Sequence, residues 1–99
     1  MEETNYLLIC LAEECAEVQH RIAKALRFGL DEIEPGQDYT NAERIEIETN
    51  DLYTVIGMLN SSGLTIRHRP EFMIAKRDKV TKFMEYSRKR GVLKCSSKH

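Results

Sequence analysis

Apolar residues recur at steps of three and four along the first quarter of the chain, which is the period of an α-helix. The segment from about Thr4 to Phe28 carries them within a stripe about 100° wide, at about 100° per residue. These positions are Leu8, Leu11, Cys15, Val18, Ile22 and Ala25. Gly29 follows as a C-terminal stop signal. The pattern therefore predicts a long amphipathic first helix.

A loop and a second helix are predicted next. Residues 29–40 contain Pro35 and two glycines and are typical of a long, functional loop. The sequence Thr40-Asn41-Ala42-Glu43 matches a capping box, so the second helix is expected to start near Asn41. Its apolar stripe consists of Ile45, Leu52, Ile56 and Leu59, with Thr49 on the same line, and it should end within residues 60–63.

A third helix is predicted to follow Pro70, a favoured first-turn residue, and to end near Gly91. Its apolar positions are Phe72, Met73, Val80, Phe83 and Met84. The sequence LTIRHR is the one β-like stretch, and it is short. We therefore expect an all-α helical bundle of three to four helices, in one domain over residues 1–92, with a frayed tail at residues 93–99.

The composition narrows the class of protein. The 99 residues are 41% hydrophobic and 31% charged, which is ordinary for an ordered globular chain with a modest core, so an oligomer is expected. The net charge of -1 argues against a general nucleic-acid partner. The first residues have no basic leader and their apolar run is broken by acids, so neither a signal peptide nor a membrane span is expected. Three cysteines without a CxxC motif indicate free thiols in a reducing cytoplasm.

Two acidic pairs share a spacing of three residues. Glu14 and Glu17 lie on the first predicted helix, and Glu48 and Asp51 lie on the second. Each pair is rotated about 90–100° from its apolar stripe, in the same sense. If the helices pack antiparallel through their stripes, both pairs lie on the same side of the contact.

Four converging carboxylates would repel one another, by about 1 kcal/mol per close pair in water and about 4 kcal/mol at an effective dielectric near 20. An oxygen-only cluster favours a hard cation, so the pattern predicts a site for Mg²⁺, with Mn²⁺ as a possible substitute. The alternative is a solvated helix face, in which Glu14 pairs with Arg21 or Lys24.

The sequence also resembles a known family. Glu13-Glu14-x-x-Glu17, followed by Glu48-x-x-Asp51-Leu52, is similar to the signature of the MazG-like nucleotide pyrophosphohydrolases of the all-α NTP pyrophosphatase superfamily. The segment LAEECAEVQHRIAKALRFGLDE looks like the corresponding sequence of small single-domain bacterial and phage members. The resemblance covers about residues 5–60 and continues more loosely through residues 76–88. Ile47 departs from it, since many relatives carry an acid at that position.

The resemblance implies a helical core completed by a homodimer or homotetramer, and Mg²⁺-dependent hydrolysis of a nucleoside triphosphate between its α and β phosphates. The metal-ligand positions of the family match Glu14, Glu17, Glu48 and Asp51. Glu13 matches the leading acid, and with Glu14, Glu17 and Lys24 it completes the expected catalytic set. The expected substrate-binding residues are Lys24, Arg27, Asn41, Lys76 and Lys79. For Asn41, a capping role is an equal alternative.

Two other readings stay open. Glu17 and His20 form an ExxH motif, which di-iron carboxylate bundles use, but the partner pair here is ExxD and His20 points away from the acidic line. A non-catalytic helical dimer that binds a nucleotide or a protein would use the same acids as a polar rim. It predicts no dependence on a divalent metal.

Overall fold

A computed structural model describes residues 1–95 of the chain. Within this range there are three helices and no strand: α1 (Glu3–Phe28), α2 (Asn41–Ser62) and α3 (Pro70–Lys89). The prediction of an all-α chain is confirmed, and the start of α1 differs from the predicted one by a single residue. The expected fraying at residues 93–99 includes residues 96–99, which lie outside the described residues.

The chain divides into two compact units, Met1–Ile66 and Arg67–His99. The first unit is a hairpin of α1 and α2. The Thr4 Oγ1 and Ser62 Oγ atoms are 3.2 Å apart and share a hydrogen bond, which joins the start of α1 to the end of α2. The two helices are therefore antiparallel, as predicted. A single domain over residues 1–92 stays a prediction.

Local signals in the sequence set the ends of these helices. The backbone N–H of Glu43 donates to the Thr40 hydroxyl (3.1 Å), and the Thr40 N–H donates to the Glu43 carboxylate (2.9 Å). This is the predicted capping box, and it satisfies two backbone groups that a helix start leaves free. Gly29 ends α1 with a φ of 107°, which residues with a Cβ rarely adopt.

The contact between α1 and α2 is narrow. Its buried apolar side chains are Leu7, Ala25 and Leu59, of which Leu59 is fully buried. The α2 stripe is buried or half-buried as predicted, whereas only one edge of the α1 stripe is covered. Leu8, Cys15 and Ile22, on the other edge, are exposed. In a hairpin each helix packs against only one other helix, so part of a stripe about 100° wide stays exposed to solvent.

The second unit contains α3, which begins with Pro70 at its first turn, as predicted. No residue of α3 is buried. Among residues 1–95, no helix combines the length and the apolar character that crossing a bilayer requires.

Candidate metal centre

Three carboxylates meet beside the contact between α1 and α2. Glu14, Glu48 and Asp51 each offer an oxygen, and these three oxygens lie within 4.8 Å of one another. Glu14 and Glu48 are half-buried, and Asp51 is exposed. The antiparallel hairpin thus brings together one acid of the first predicted pair and both acids of the second.

Glu17 and Glu13 lie outside this group of three. Both are exposed on α1. Glu17 is nevertheless close enough for its charge to raise the pKa of Glu48. It borders the cluster, one turn along α1 from Glu14. The four-carboxylate convergence predicted from the sequence is therefore shown for three of its members.

The electrostatics of Glu48 reflect the crowding. Partial burial raises the pKa of Glu48 above its ordinary value, and the negative charges of Asp51, Glu17 and Glu14 raise it further. Arg21 opposes this shift. Two unit charges 4.8 Å apart repel by about 1 kcal/mol in water and about 3 kcal/mol at an effective dielectric of 20. The ionised cluster therefore opposes folding unless a cation neutralises it.

Glu14 supplies a second indication of a cation. Its Oε2 atom is screened from solvent and has no hydrogen-bond donor among the described residues. Burying a charged oxygen without a partner is costly, and such atoms in folded proteins commonly face an ion or a water. Within residues 1–95, Glu14 forms no ion pair with Arg21 or Lys24, so the alternative of a paired, solvated acid does not describe this side chain.

The donor set fits a hard divalent ion. All three ligands are carboxylates, which Mg²⁺ and Mn²⁺ prefer, and the exposure of Asp51 leaves one side open to solvent. Mg²⁺ retains several waters in such sites and shares its open positions with phosphate oxygens. A closed structural zinc site would instead need thiolate or imidazole ligands.

Arg21 is a residue near the cluster that the expected site did not include. Its Nε and Nη1 atoms are buried and have no acceptor among the described residues. Its charge lowers the pKa of both Glu48 and Glu34. A half-buried guanidinium with unused donors, near an acidic cluster, is suited to an anionic ligand. The sequence could have indicated this residue, because Arg21 follows Glu14 and Glu17 along the same side of α1.

Lys24 is held by the loop that joins α1 to α2. Its ammonium lies 3.7 Å from the Glu34 carboxylate, which also accepts a hydrogen bond of 2.9 Å from Arg44. The Arg44 hydrogen bond, and then the Lys24 charge, lower the pKa of Glu34. Lys24 therefore faces a carboxylate in the structure, where the resemblance implied a phosphate. At 3.7 Å the contact is weak enough for a phosphate to replace it.

The other residues expected to bind the substrate do not belong to the carboxylate cluster. Asn41 is buried, and its amide nitrogen donates to the Gly29 carbonyl (2.8 Å) and to Glu32 (3.0 Å), so both its donors hold the loop in place. Arg27 is exposed, with its guanidinium 4.9 Å from the Phe28 ring centre. Lys76 and Lys79 are exposed on α3. Their roles toward a substrate stay predictions.

Comparison with known proteins adds no further identification: no family model matches the chain, and no curated protein or solved structure is significantly similar to it. The resemblance to the MazG-like enzymes therefore depends on the sequence motifs alone, chiefly those of residues 5–60.

Proposed function

We propose that this chain is a Mg²⁺-dependent nucleotide pyrophosphohydrolase of the MazG-like type, which hydrolyses a nucleoside triphosphate to the monophosphate and pyrophosphate. The observation that carries the proposal is the convergence of Glu14, Glu48 and Asp51 from two helices, with a screened, unpartnered oxygen on Glu14. Three of the five acidic residues in the motifs that resemble the family are the residues that meet in space.

Glu14, Glu48 and Asp51 would hold the ion, with Glu17 adjacent. When bound, Mg²⁺ neutralises charge on the phosphates and lowers the pKa of a coordinated water. The water oxygen would attack the α-phosphorus, the bond to the bridging oxygen would break, and pyrophosphate would leave. Glu17, which is exposed and close enough to act on the pKa of Glu48, or the exposed Glu13, would accept the proton of the water.

Cationic side chains would bind the phosphates. Lys24 lies on α1, about 15 Å along the helix axis from Glu14, and its contact with Glu34 is long enough to be exchanged for a phosphate oxygen. Arg21 has two unused donors that suit an anionic ligand. Together they would stabilise charge that develops on the phosphates during bond breaking. Arg27, Lys76 and Lys79 belong to the same proposal on the basis of the resemblance.

The proposal includes a homodimer or homotetramer in the cytoplasm. Among residues 1–95, only three apolar side chains are buried, while many large ones are exposed, including Tyr6, Ile47 and Phe83. Such extensive apolar exposure is typical of chains that bury the surface against a partner. Free Cys10, Cys15 and Cys95 support a reducing compartment.

The decisive experiment measures pyrophosphate release from a panel of canonical and damaged NTPs and dNTPs, with Mg²⁺, with Mn²⁺ and with a chelator. We expect turnover with either ion and none with the chelator. Glu48→Gln should lower turnover by at least about 100-fold, whereas Glu46→Gln, an exposed acid on the same helix, should leave it unchanged. No turnover on any of these substrates, with the fold retained, would favour the non-catalytic helical dimer that binds a nucleotide or a protein.

A further inference from the structure

Three basic side chains surround one carboxylate of the loop between α1 and α2. Both oxygens of Glu34 are engaged: Oε1 lies 3.7 Å from the Lys24 ammonium, and Oε2 accepts a hydrogen bond of 2.9 Å from Arg44. The Arg44 hydrogen bond lowers the pKa of Glu34 most, and the charges of Lys24 and Arg21 lower it further. Glu34 is therefore held between cations of both helices, as an anionic ligand would be.

Arg21 is the cation of this group with unused donors. Its Nε and Nη1 atoms are buried and have no acceptor among residues 1–95. A carboxylate has two oxygens, whereas a phosphate group presents three, each a strong acceptor. A phosphate in the place of the Glu34 carboxylate would keep both of its contacts and add one with Arg21. The Arg21 guanidinium also lies near enough to Glu48 for its charge to act on that carboxyl, so it connects this cationic group with the carboxylate cluster.

The loop can release the Glu34 side chain while its base stays closed. The backbone N–H of Ala42 donates to the Leu30 carbonyl (3.0 Å), which closes the base of the loop. Beyond this bond, residues 33–39 contain no buried side chain, and the Glu34 side chain is 38% exposed. Its departure therefore breaks chiefly the two ion pairs, and exposed ion pairs contribute little to stability.

We propose that Glu34 is a displaceable occupant of a phosphate-binding site formed by Arg21, Lys24 and Arg44, so that the loop competes with the phosphates of a ligand. The inference deepens the proposed function and rests on it for the source of the phosphates, which are those of the triphosphate or of the pyrophosphate product. Free inorganic phosphate has the same chemistry and is the alternative source. The apparent affinity for a phosphate ligand is lowered by the fraction of molecules in which Glu34 has left the site.

The first test measures pyrophosphate binding to the full-length chain by isothermal titration calorimetry, with Mg²⁺ and with a chelator. Glu34→Gln should lower the Kd by about three-fold or more, because the competing charge is removed. Asp38→Asn is the matched control, since it removes the same charge from an exposed position of the same loop, and it should change the Kd far less. A Kd that Glu34→Gln raises, or changes no more than Asp38→Asn, would overturn the proposal.

The three cations are tested in the same titration. Arg21→Met and Arg44→Met should each raise the Kd by about ten-fold or more, because hydrogen bonds from charged donors are lost. Arg67→Met is the matched control, because it removes an exposed guanidinium outside the hairpin. Circular dichroism checks that each variant keeps its helices. Equal weakening by Arg67→Met would mean a general charge effect and would overturn the proposal.

Hydrogen exchange of the wild-type chain tests the displacement itself. The Gln37 N–H donates to the Glu34 carbonyl (2.9 Å), so release of Glu34 should speed amide exchange in residues 33–39 when pyrophosphate is added. The Ala42 amide, at the base of the loop, should stay protected. Slower exchange in residues 33–39 would mean that the loop closes over the ligand with Glu34 in place, and would overturn the proposal.

Turnover assays separate this inference from the proposed function. Pyrophosphate binding that responds to the variants as expected, without hydrolysis of any NTP, would support the phosphate site and refute the hydrolase. Hydrolysis with a KM that Glu34→Gln changes no more than Asp38→Asn would support the hydrolase and overturn the role of Glu34. Titration with inorganic phosphate then identifies the source: weaker binding than that of pyrophosphate supports a polyphosphate ligand, and equal binding supports free phosphate at the same site.

Discussion

Glu48→Gln should change the stability of the protein in opposite directions without and with a divalent cation. In the metal-free chain, the ionised Glu48 is half-buried and lies near two other carboxylates, at oxygen distances within 4.8 Å. Two such repulsions amount to about 1 kcal/mol each in water, and Arg21 offsets part of them. Removing the charge should therefore raise the free energy of unfolding by about 1–2 kcal/mol.

The expected gain is measurable by thermal unfolding. For a domain of this size, about 1 kcal/mol corresponds to a rise in Tm of about 4–8 °C. With Mg²⁺ at about 100 times its Kd, the wild-type chain should gain about 2.7 kcal/mol, because the ion binds only the folded state. The variant, which lacks one ligand, should gain much less. The order of the two melting temperatures should therefore reverse when Mg²⁺ is added.

The pH dependence of the metal-free difference follows from the raised pKa of Glu48. Its folded-state pKa lies above the ordinary value of 4.5, so ionising this carboxyl disfavours folding. The advantage of Glu48→Gln should be complete above the folded-state pKa and should disappear below pH 4.5, where the carboxyl is protonated in both states.

Glu46→Gln is the matched control, since Glu46 is an exposed acid two residues away on α2. The free energy of unfolding of Glu46→Gln should stay within about 0.5 kcal/mol of the wild-type value, both without Mg²⁺ and with it. The reasoning would be refuted if Glu48→Gln left the metal-free Tm unchanged or lower, or if Mg²⁺ raised the Tm of Glu48→Gln as much as that of the wild type.

Three further predictions concern the loop and the helix contact. Arg44→Met should reduce stability at about pH 7, because the hydrogen bond to Glu34 is lost, and the difference should shrink as the pH falls through the lowered pKa of Glu34. Urea unfolding over a series of acidic pH values measures this difference, and a constant difference throughout would contradict the prediction. Asn41→Ala should cost about 1–3 kcal/mol, because the loop carbonyl and carboxylate lose the donors of a buried amide; a thermal melt that matches the wild type would refute this. Leu59→Ala should lower the free energy of unfolding in urea by about 2–5 kcal/mol, whereas Met58→Ala, at the exposed neighbouring position, should lower it little. Similar losses of stability at both positions would contradict the burial described.

The helices could be predicted from the sequence because their signals are local. The capping box at Thr40, the stop at Gly29 and the start at Pro70 depend only on neighbouring residues. The observed bounds of the helices agree with these signals. The meeting of Glu14 with Glu48 and Asp51 was also predictable, since helical phase and antiparallel packing determine it.

Other features could not be predicted in this way. The loop of residues 29–40 has no periodicity, so its contact between Glu34 and Lys24 could not be seen in advance. The exposure of Leu8 and Ile22 depends on how many helices surround α1, which an amphipathic stripe does not specify. The first unit is acidic and the second is basic, which the sequence shows, but the net charge of -1 for the whole chain averages this difference away.

The screened Oε2 atom of Glu14 bears on the choice of ion. Folding has already removed the water from this oxygen, so under the proposed function a cation would gain a ligand whose dehydration was completed beforehand. The main barrier to entry is then the hydration shell of the ion itself, and Mg²⁺ gives up its waters reluctantly. A carboxylate preorganised in this manner suits an ion that binds through one or two direct contacts. Such an ion keeps its remaining waters on the side open to solvent, where phosphate oxygens can replace them.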